Sequence, residues 1–484
     1  MNIKEILLDL SDKEKKERKQ ALKDFIFYLG ECENKESAKL NKDLLGQNWI
    51  TLDDLDYIPS QVIDNKIKPL INKQARFMFG KEPDILFKPL DKKDKETCEE
   101  LRQYVDAILN ASKFWSNALK VFRLATVTKR VMLRLEANPE QPVRLYWHDI
   151  NDFNYEVDPN DVTKLNKVVL VRQDSTTVNK LENEKLWHRY TYYVSNKKDG
   201  LEVSCYLRIE TFRGDNLETP IEVKEQDTGL SKIPCWVIYN EQSIATPYGQ
   251  SDIKDLKSLQ DSYNRRLSDF NDSLRFLMFG QTSIIDATED TVNACNIAPN
   301  ALMPLKSIDE RQAKVQRVES NFTNAEPVLN YLKKLEDSMY EKLSIPRPES
   351  LQQVPSAKSI KYMYTELVAR CEEKWHDWEP AIRSMIRLVV EACGKFKCYP
   401  DWKEEWNDLL YNIVLNKNYP IPEDEEDKKK LAMEEVRTNV RSHRGYIKDF
   451  TEDQDADNVL NEICEDISSI NAAENDSFTE NIDE

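Results

Sequence analysis

The chain has 484 residues, of which 40% are hydrophobic and 32% charged, and a length of this order is normally divided between two or more subdomains. The ten glycines are too widely spaced to form a Gly-rich dinucleotide turn or a P-loop, which argues against an ATP-driven motor. The net charge is −18, but thirteen acidic residues and no Lys or Arg lie in 449–484, so the rest of the chain is nearly balanced and lacks the basic excess of a protein that grips DNA.

The residues that most often carry metal or catalytic chemistry form no recognisable site. The nine cysteines show neither a C-x-x-C pair nor a zinc spacing, and we expect reduced cytosolic thiols. None of His148, His188, His376 and His443 belongs to an H-E-x-x-H pattern, and packing is favoured over acid/base chemistry for His376 beside Asp377. We therefore predict no catalytic residue, no metal site and no cofactor. We also expect neither a signal peptide nor a membrane span.

The N-terminal part of the chain is predicted to be helical. Ser11 and Glu14 form a capping box before an apolar pattern that ends at Gly30. A second helix carries an apolar stripe and is expected to end at Gly80. A third helix is predicted over 95–124.

The pattern then changes to short segments of β-branched and aromatic residues, separated by turns rich in Pro, Gly, Asp and Asn. Strands are predicted over 131–135, 143–147, 167–171, 188–194, 202–210 and 221–223. This part of the chain is therefore expected to be strand-rich.

Residues 233–278 combine a short apolar strand, a turn with Pro and Gly, and a long amphipathic helix. Apolar residues recur in the helix at alternating spacings of three and four: Ile253, Leu256, Tyr263, Leu267, Phe270, Leu274 and Leu277, with Gln260 as the one polar interruption. The charged residues, which include Asp252 and Asp272, are interpreted as a solvated face or as ion pairs between subunits. So narrow an apolar seam favours packing against other helices.

A second seam helix is predicted over 325–343, after a strand at 282–285 and a mixed segment. Its apolar residues are Val328, Leu332, Leu335, Met339 and Leu343. Three prolines in 344–359 forbid a continuous helix there. A long amphipathic helix follows from Ile360, with a kink expected at Pro380.

The C-terminal part begins with a helix predicted over 422–440 and a short helical piece near Tyr446. The acidic residues 449–484 are expected to be disordered or solvated.

The order of these elements resembles the portal proteins of long-tailed double-stranded DNA bacteriophages, the siphovirus- and myovirus-type head-to-tail connectors. The resemblance covers roughly residues 4–450 and is strongest over 77–87, 233–278 and 357–374. Residues 77–87 read FMFGKEPDILF. In 233–278, a Leu-x-x-x-Tyr-Asn-x-x-x-Ser pattern is matched by Leu259, Tyr263, Asn264 and Ser268.

The resemblance implies an α+β portal fold. Its parts would be an α/β wing over 1–250, with a helical start before the strands, a first stem helix over 251–278, a small α/β clip over 279–323, a second stem helix over 324–343, a tunnel loop over 344–359, a long kinked wing helix over 360–400, a helical crown over 401–448 and an acidic disordered tail over 449–484.

The resemblance also implies a function. The chain would form a homododecameric ring at one capsid vertex of the virion, assembled in the host cytoplasm, through which the genome is packaged, retained and ejected. The implied partners are double-stranded DNA that passes through without being tightly bound, the large terminase subunit, a head–tail adaptor, and the major capsid and scaffold proteins. The chain would not be an enzyme.

Two sets of candidate site residues follow. The DNA-tunnel candidates are Arg347, Gln352, Gln353 and Lys358. The subunit-interface candidates are Leu256, Tyr263, Leu267, Phe270, Leu274, Leu332, Leu335 and Met339.

Two alternatives remain open from the sequence. One is a structural head–tail adaptor or scaffold ring without DNA passage. The other is a metal-dependent nuclease that uses some of the many carboxylates. The size of the chain, the two seam helices and the segment between them argue against a small adaptor.

Overall fold

The computed structural model describes residues 3–30, 60, 62–158, 161, 164–196, 203–243, 245–279, 281–285, 314–318, 325–349, 357–421, 425–438, 440–450 and 458–469. The chain divides into two compact units. The first comprises Met1–Arg347 with Glu366–Pro420, and the second comprises Pro348–Thr365 with Ile421–Glu484.

Helices and strands are both abundant, which confirms the α+β class. The helices are α1 (Ile3–Leu7), α2 (Asp12–Leu29), α3 (Ile67–Phe79), α4 (Lys95–Ala111), α5 (Phe114–Thr128), α6 (Lys257–Phe279), α7 (Ala325–Lys342), α8 (Ala357–Met363), α9 (Thr365–Phe396), α10 (Glu425–Arg437), α11 (His443–Phe450) and α12 (458–469). The strands are β1 (Asp84–Pro89), β2 (Arg130–Glu136), β3 (Arg144–His148), β4 (Phe153–Val157), β5 (Leu165–Gln173), β6 (Leu186–Asn196), β7 (Val203–Arg213), β8 (Glu222–Asp227), β9 (Cys235–Tyr239), β10 (Gln281–Ile285), β11 (Lys314–Val318) and β12 (Tyr411–Asn416).

The predicted N-terminal caps are present in the structure. The Ser11 hydroxyl accepts a hydrogen bond from the Glu14 N–H at 3.2 Å, and Gly30 ends α2 with a left-handed φ of 66°. The helix predicted over 95–124 is instead two helices. It breaks at Lys113, which adopts a left-handed φ of 49° that a continuous helix does not allow.

All the sheets described are antiparallel. The strand-rich region forms one sheet in the order β3-β2-β9 and another in the order β4-β5-β6-β7-β8. Strands β1 and β12, far apart in sequence, pair with each other, and β10 pairs with β11 between α6 and α7. Every strand segment predicted over 131–223 is present, whereas β4, β11 and β12 were not predicted.

Helix α9 contributes many buried residues to the core of the first unit. Trp375 and Trp378 are each 1% exposed and pack against Phe79, whose ring centroid lies 5.1 and 5.0 Å from theirs. The helix continues on both sides of Pro380. Phe122 of α5 and Trp147 of β3 contact Trp378, so one aromatic cluster joins α3, α5, α9 and the small sheet.

The second unit is helical in its described residues. Helix α10 packs against α11, with Ala432 and Ile447 buried. The Arg441 guanidinium pairs with Glu435 at 3.4 Å and with Asp449. Residues 458–469, inside the tail expected to be disordered or solvated, form helix α12 with mostly exposed side chains.

Candidate functional site

Helices α6 and α7 pack against each other in the first unit. On α7 the apolar seam is buried, with Leu332 6%, Leu335 7% and Met339 0% exposed. On the side of α6, Leu256, which lies just before the helix, is 0% exposed, and Tyr263 within the helix is 7% exposed. These five interface candidates are therefore covered within a single chain.

The remaining three interface candidates lie further along α6. Leu267 and Phe270 are half-buried, and Leu274 is 39% exposed. Part of the apolar stripe thus stays accessible on one side of the helix, towards its C-terminal end.

The most buried face of α6 is polar. Gln260 and Asn264 are 0% exposed, Ser268 is 4% and Asp272 is 7% exposed. These four side chains accept hydrogen bonds from backbone N–H groups of residues 60 and 62–66, which we call the strap. The bonds run from Lys66 N to Gln260 Oε1 at 3.0 Å, Asp64 N to Asn264 Oδ1 at 3.2 Å, Val62 N to Ser268 Oγ at 3.0 Å, and Ser60 N to the Asp272 carboxylate at 3.0 and 3.1 Å.

The spacing of these bonds has a geometric reason. Successive acceptors are four residues apart on the helix, a rise of about 6.0 Å. Successive donors are two residues apart on the strap, which is about 6.6 Å in an extended chain. The two repeats nearly match, so an antiparallel strap keeps its N–H groups opposite the helix side chains and satisfies donors that would be costly to bury unpaired.

Lys66 extends this contact to α7. Its ammonium lies 3.1 Å from the Asp64 carboxylate, 3.5 Å from Glu336 Oε2 and 5.4 Å from the centre of the Tyr263 ring. Burial disfavours the charged ammonium of Lys66. The neighbouring carboxylates of Asp64 and Glu336 outweigh this effect and raise the pKa of Lys66. The strap is therefore tied to both helices of the pair.

A second network, of buried charges, holds the turn that leads into α6. The Lys374 ammonium on α9 donates to Asp252 Oδ1 at 2.9 Å, to Asn240 Oδ1 at 2.7 Å and to Glu241 Oε1 at 3.2 Å. These contacts use all three donors that an ammonium offers. One helical turn earlier, Arg370 Nη2 lies 2.8 Å from Glu241 Oε1 and 3.4 Å from Asp252 Oδ2.

The four charges of this network balance, two negative against two positive. Burial by itself would raise the pKa of Asp252, but Lys374 and Arg370 outweigh it and hold that pKa below its ordinary value. The same turn is fixed to the end of α5, because Ser251 Oγ donates to the Val127 carbonyl at 2.7 Å and Asp252 N to the Thr126 carbonyl at 2.9 Å. Buried polar contacts therefore fix the direction in which the chain enters α6.

These two networks correct the sequence analysis. Asp252 and Asp272 were interpreted as part of a solvated or intersubunit charged face, but both are buried, at 7% exposed. Gln260 was treated as one interruption of an apolar seam, yet it opens a polar stripe with Asn264, Ser268 and Asp272. The signal for that stripe was present as four polar residues at strict four-residue spacing.

Arg347 is the DNA-tunnel candidate whose side chain the structure describes. Its guanidinium lies 2.9 Å from Asp337 Oδ2 and also pairs with Glu341, both on α7. Gln352 and Gln353 lie outside the described residues. Lys358 lies in α8, but the structure does not describe its side chain.

The three histidines of the first unit differ in their surroundings, and His376, for which packing was favoured, is exposed. His148 is 2% exposed, and burial together with Arg134 and Arg172 lowers its pKa to about 3. His188 contacts Asp174 and Thr211. Beside His376, burial raises the pKa of Asp377 to about 6, although Lys374 and backbone N–H groups oppose the shift.

The described part of the chain contains no group of three or more His, Cys, Asp or Glu residues arranged to hold a metal ion. Within the same residues, no helix combines the length and apolarity needed to cross a bilayer. The main feature of the described geometry is a helix pair held by buried polar networks, with two antiparallel strands, β10 and β11, between the two helices in the chain.

Comparison with known families gives a match over most of the chain. A family model described as phage portal protein, SPP1 Gp6-like, matches residues 8–472, which is nearly the whole chain. No curated protein matches the sequence.

Proposed function

From the premise that this chain belongs to the SPP1 Gp6-like family of phage portal proteins, whose general role is the genome-packaging channel of the capsid, we propose that it assembles as a closed homododecameric ring around double-stranded DNA. The family is structural rather than enzymatic. The observation that carries the proposal, beside the family match, is the α6–α7 pair, which is anchored at its base and tied along its length by the strap.

We assign the parts of the portal fold to the elements of the chain. The wing is the helical start and the two larger sheets, the stem is α6 with α7, and the clip is the segment that contains the paired strands β10 and β11. The tunnel loop lies in 344–359, α9 is the long wing helix, and α10 with α11 belongs to the crown.

A ring of twelve stems has a suitable size for DNA. With neighbouring helix axes about 10 Å apart, twelve helices form a circle roughly 38 Å across between axes, which leaves about 28 Å clear inside. Six helices would leave only about 9 Å at the same spacing. A helix-lined conduit for a duplex therefore requires the larger ring.

We assign different roles to the interface candidates according to their burial. Leu256, Tyr263, Leu332, Leu335 and Met339 stabilise the helix pair within one subunit. Leu267, Phe270 and Leu274, which remain partly accessible, contact the neighbouring subunit in the ring. The helix pair can then contact neighbouring subunits while the apolar interface between its own two helices stays intact.

The channel should hold DNA weakly. Apart from the acidic C-terminal segment, the chain has almost equal numbers of acidic and basic residues, and each strong phosphate contact would add affinity that slows passage. Among the proposed tunnel residues Arg347, Gln352, Gln353 and Lys358, Arg347 is already paired with carboxylates of α7. That pairing supports weak and replaceable contacts with phosphates.

The remaining assignments extend the family role. The ring would sit at one vertex of the virion capsid after assembly in the host cytoplasm, where major capsid and scaffold proteins surround the wing. The large terminase subunit would dock on the clip during packaging, and a head–tail adaptor would replace it before genome retention and ejection.

The test is assembly followed by packaging. Native mass measurement and negative-stain microscopy of the purified protein should show a closed ring with a central opening, and capsids that contain it should protect DNA from nuclease when terminase and ATP are added. A stable monomer at high concentration that also fails to assemble with capsid protein would refute the proposal. Rings without DNA protection would indicate the adaptor or scaffold alternative, and cleavage of DNA by the purified protein with divalent cations would indicate the nuclease.

A further inference from the structure

Helix α12 (458–469) is acidic and amphipathic. Val459, Leu460, Ile463 and Ile467 follow one another at helical spacing and form an apolar stripe. Ile463 is 41% and Ile467 53% exposed. Glu462 and Asp466 flank this stripe and Glu465 lies opposite it. These charges are all acidic, because no Lys or Arg occurs anywhere in 449–484.

Helix α10 offers a face of opposite character. Met433 is 57% and Val440, just beyond the helix, is 79% exposed. Lys429 and Arg437 lie four residues on either side of Met433, so all of them share one side of the helix, and both cations are exposed. We call Lys429, Met433, Arg437 and Val440 the basic face of α10.

The two surfaces are complementary in charge and in apolar content, yet each remains partly or fully exposed within one subunit. Exposed apolar stripes of this kind are the usual ligands and receptors of helix-to-helix docking. The chain from Phe450 to Asn458 spans at most roughly 29 Å when fully extended. That reach exceeds the diameter of a helix, about 10–12 Å, so α12 can extend beyond its own α10.

We propose that α12 of one subunit docks on the basic face of α10 in a neighbouring copy of this chain and links adjacent subunits through their C-terminal units. The inference rests on the proposed homo-oligomer and adds a contact beyond the stem. The acidic charges of α12 determine which face it selects, and the stripe of Leu460, Ile463 and Ile467 supplies the apolar contact.

Cys464 provides a native probe of this contact, because it is exposed on α12 beside the apolar stripe. The Met433→Cys variant should form an intersubunit disulfide with Cys464 under mild oxidation, since docking brings the two Cα atoms within about 7 Å. Leu431→Cys is the matched control. Leu431 is 60% exposed on the same helix, but it lies about 200° around the axis from Met433.

Oxidised rings of the Met433→Cys variant should give a ladder of covalent multimers on a non-reducing denaturing gel. The ladder should be absent from Leu431→Cys, from the unaltered chain and from Met433→Cys combined with Cys464→Ser. Because Cys32 and Cys295 lie outside the described residues, the unaltered chain also controls for those thiols.

A charge-reversal series tests the selected face. Lys429→Glu with Arg437→Glu should lower the cross-linking yield by about threefold or more, because exposed ion pairs contribute modestly and additively. Adding Glu462→Lys and Asp466→Lys should restore it.

The outcomes separate this inference from the proposed function. Absence of rings by native mass would refute the homo-oligomer itself. Intact rings that give no ladder, equal ladders from both cysteine positions, or a disulfide formed only within single chains would refute the α12 docking and leave the portal ring standing.

Discussion

Asp252 Oδ1 lies 2.9 Å from Lys374 Nζ, and these two side chains are 0% and 1% exposed. The pair joins the turn that starts α6 to the N-terminal half of α9, across 122 residues of sequence. An ion pair this deeply buried contributes little net stability as a pair, because both charges lose their hydration. Removal of one partner is much more costly, since the other charge is then left buried, and the pair therefore strongly specifies the path of the chain into α6.

The first prediction follows from this asymmetry. Asp252→Asn should lower the free energy of unfolding by about 3–5 kcal/mol, because Lys374 and Arg370 lose the carboxylate between them. The matched control is Glu156→Gln, which breaks the Glu156–Lys167 pair at the same 2.9 Å distance but at an exposed site. That control should change stability by less than about 1 kcal/mol. Thermal denaturation followed by circular dichroism measures both, and equal effects would contradict the role of burial.

The second prediction concerns the strap. Ser268→Ala should destabilise the protein by about 1 kcal/mol, because the Val62 N–H loses its acceptor in a partly buried contact. Ser273→Ala is the control, since Ser273 and Ser268 hydroxyls both donate to the carbonyl four residues earlier at 2.8 Å, and the Val62 contact belongs to Ser268. Hydrogen exchange should show faster exchange of the Val62 amide in the first variant. Unchanged protection would mean that the strap does not depend on this bond.

The third prediction tests the proposed ring contact. Leu267→Asp with Phe270→Asp should abolish rings, because two carboxylates would be placed in an apolar subunit contact. Leu274→Asp, at a position already 39% exposed, should weaken assembly without lowering the melting temperature. Leu181→Asp, at a 70% exposed position in the connection between β5 and β6, should leave the rings intact. Negative-stain microscopy and native mass report assembly, and normal rings from the double variant would show that this surface is not an interface.

The fourth prediction is a pH dependence from His148. Its pKa is about 3 in the folded protein, against about 6.5 when unfolded. The unfolded chain therefore binds a proton below about pH 6.5 that the folded chain does not. Stability from this residue is complete above that pH and falls by up to about 1.4 kcal/mol per unit as the pH drops towards 3.

The His148→Gln variant measures this contribution. Its melting temperature should decline less than that of the unaltered protein between pH 7 and pH 5, a range that avoids titration of most carboxylates. His443→Gln, at an exposed position in the second unit, should retain the original slope. Identical slopes for all three proteins would exclude His148 as the source.

Local pattern was sufficient for much of the fold. Alternating spacings of three and four predicted α6 and α7, and β-branched segments bounded by turns predicted β2, β3, β5, β6 and β7. Such signals succeed because amphipathic period and turn chemistry act over a few residues. Strand β12 was not predicted, because its partner β1 lies more than three hundred residues away in the sequence. Pairing between such distant segments produces no pattern in the local sequence.

The sequence by itself determined the helix pair, the strand-rich region, the proline break after α7, the acidic C-terminal segment and the family resemblance. Only the tertiary structure decided which polar residues are interior. Asn264, Ser268 and Asp272 on α6 look like solvated positions until the strap supplies backbone donors, and Asp252 looks like a surface charge until α9 brings Lys374 beside it. The physical reason is that the cost of burying a polar group depends on its partners, and here the partners lie 122 to 212 residues away along the chain.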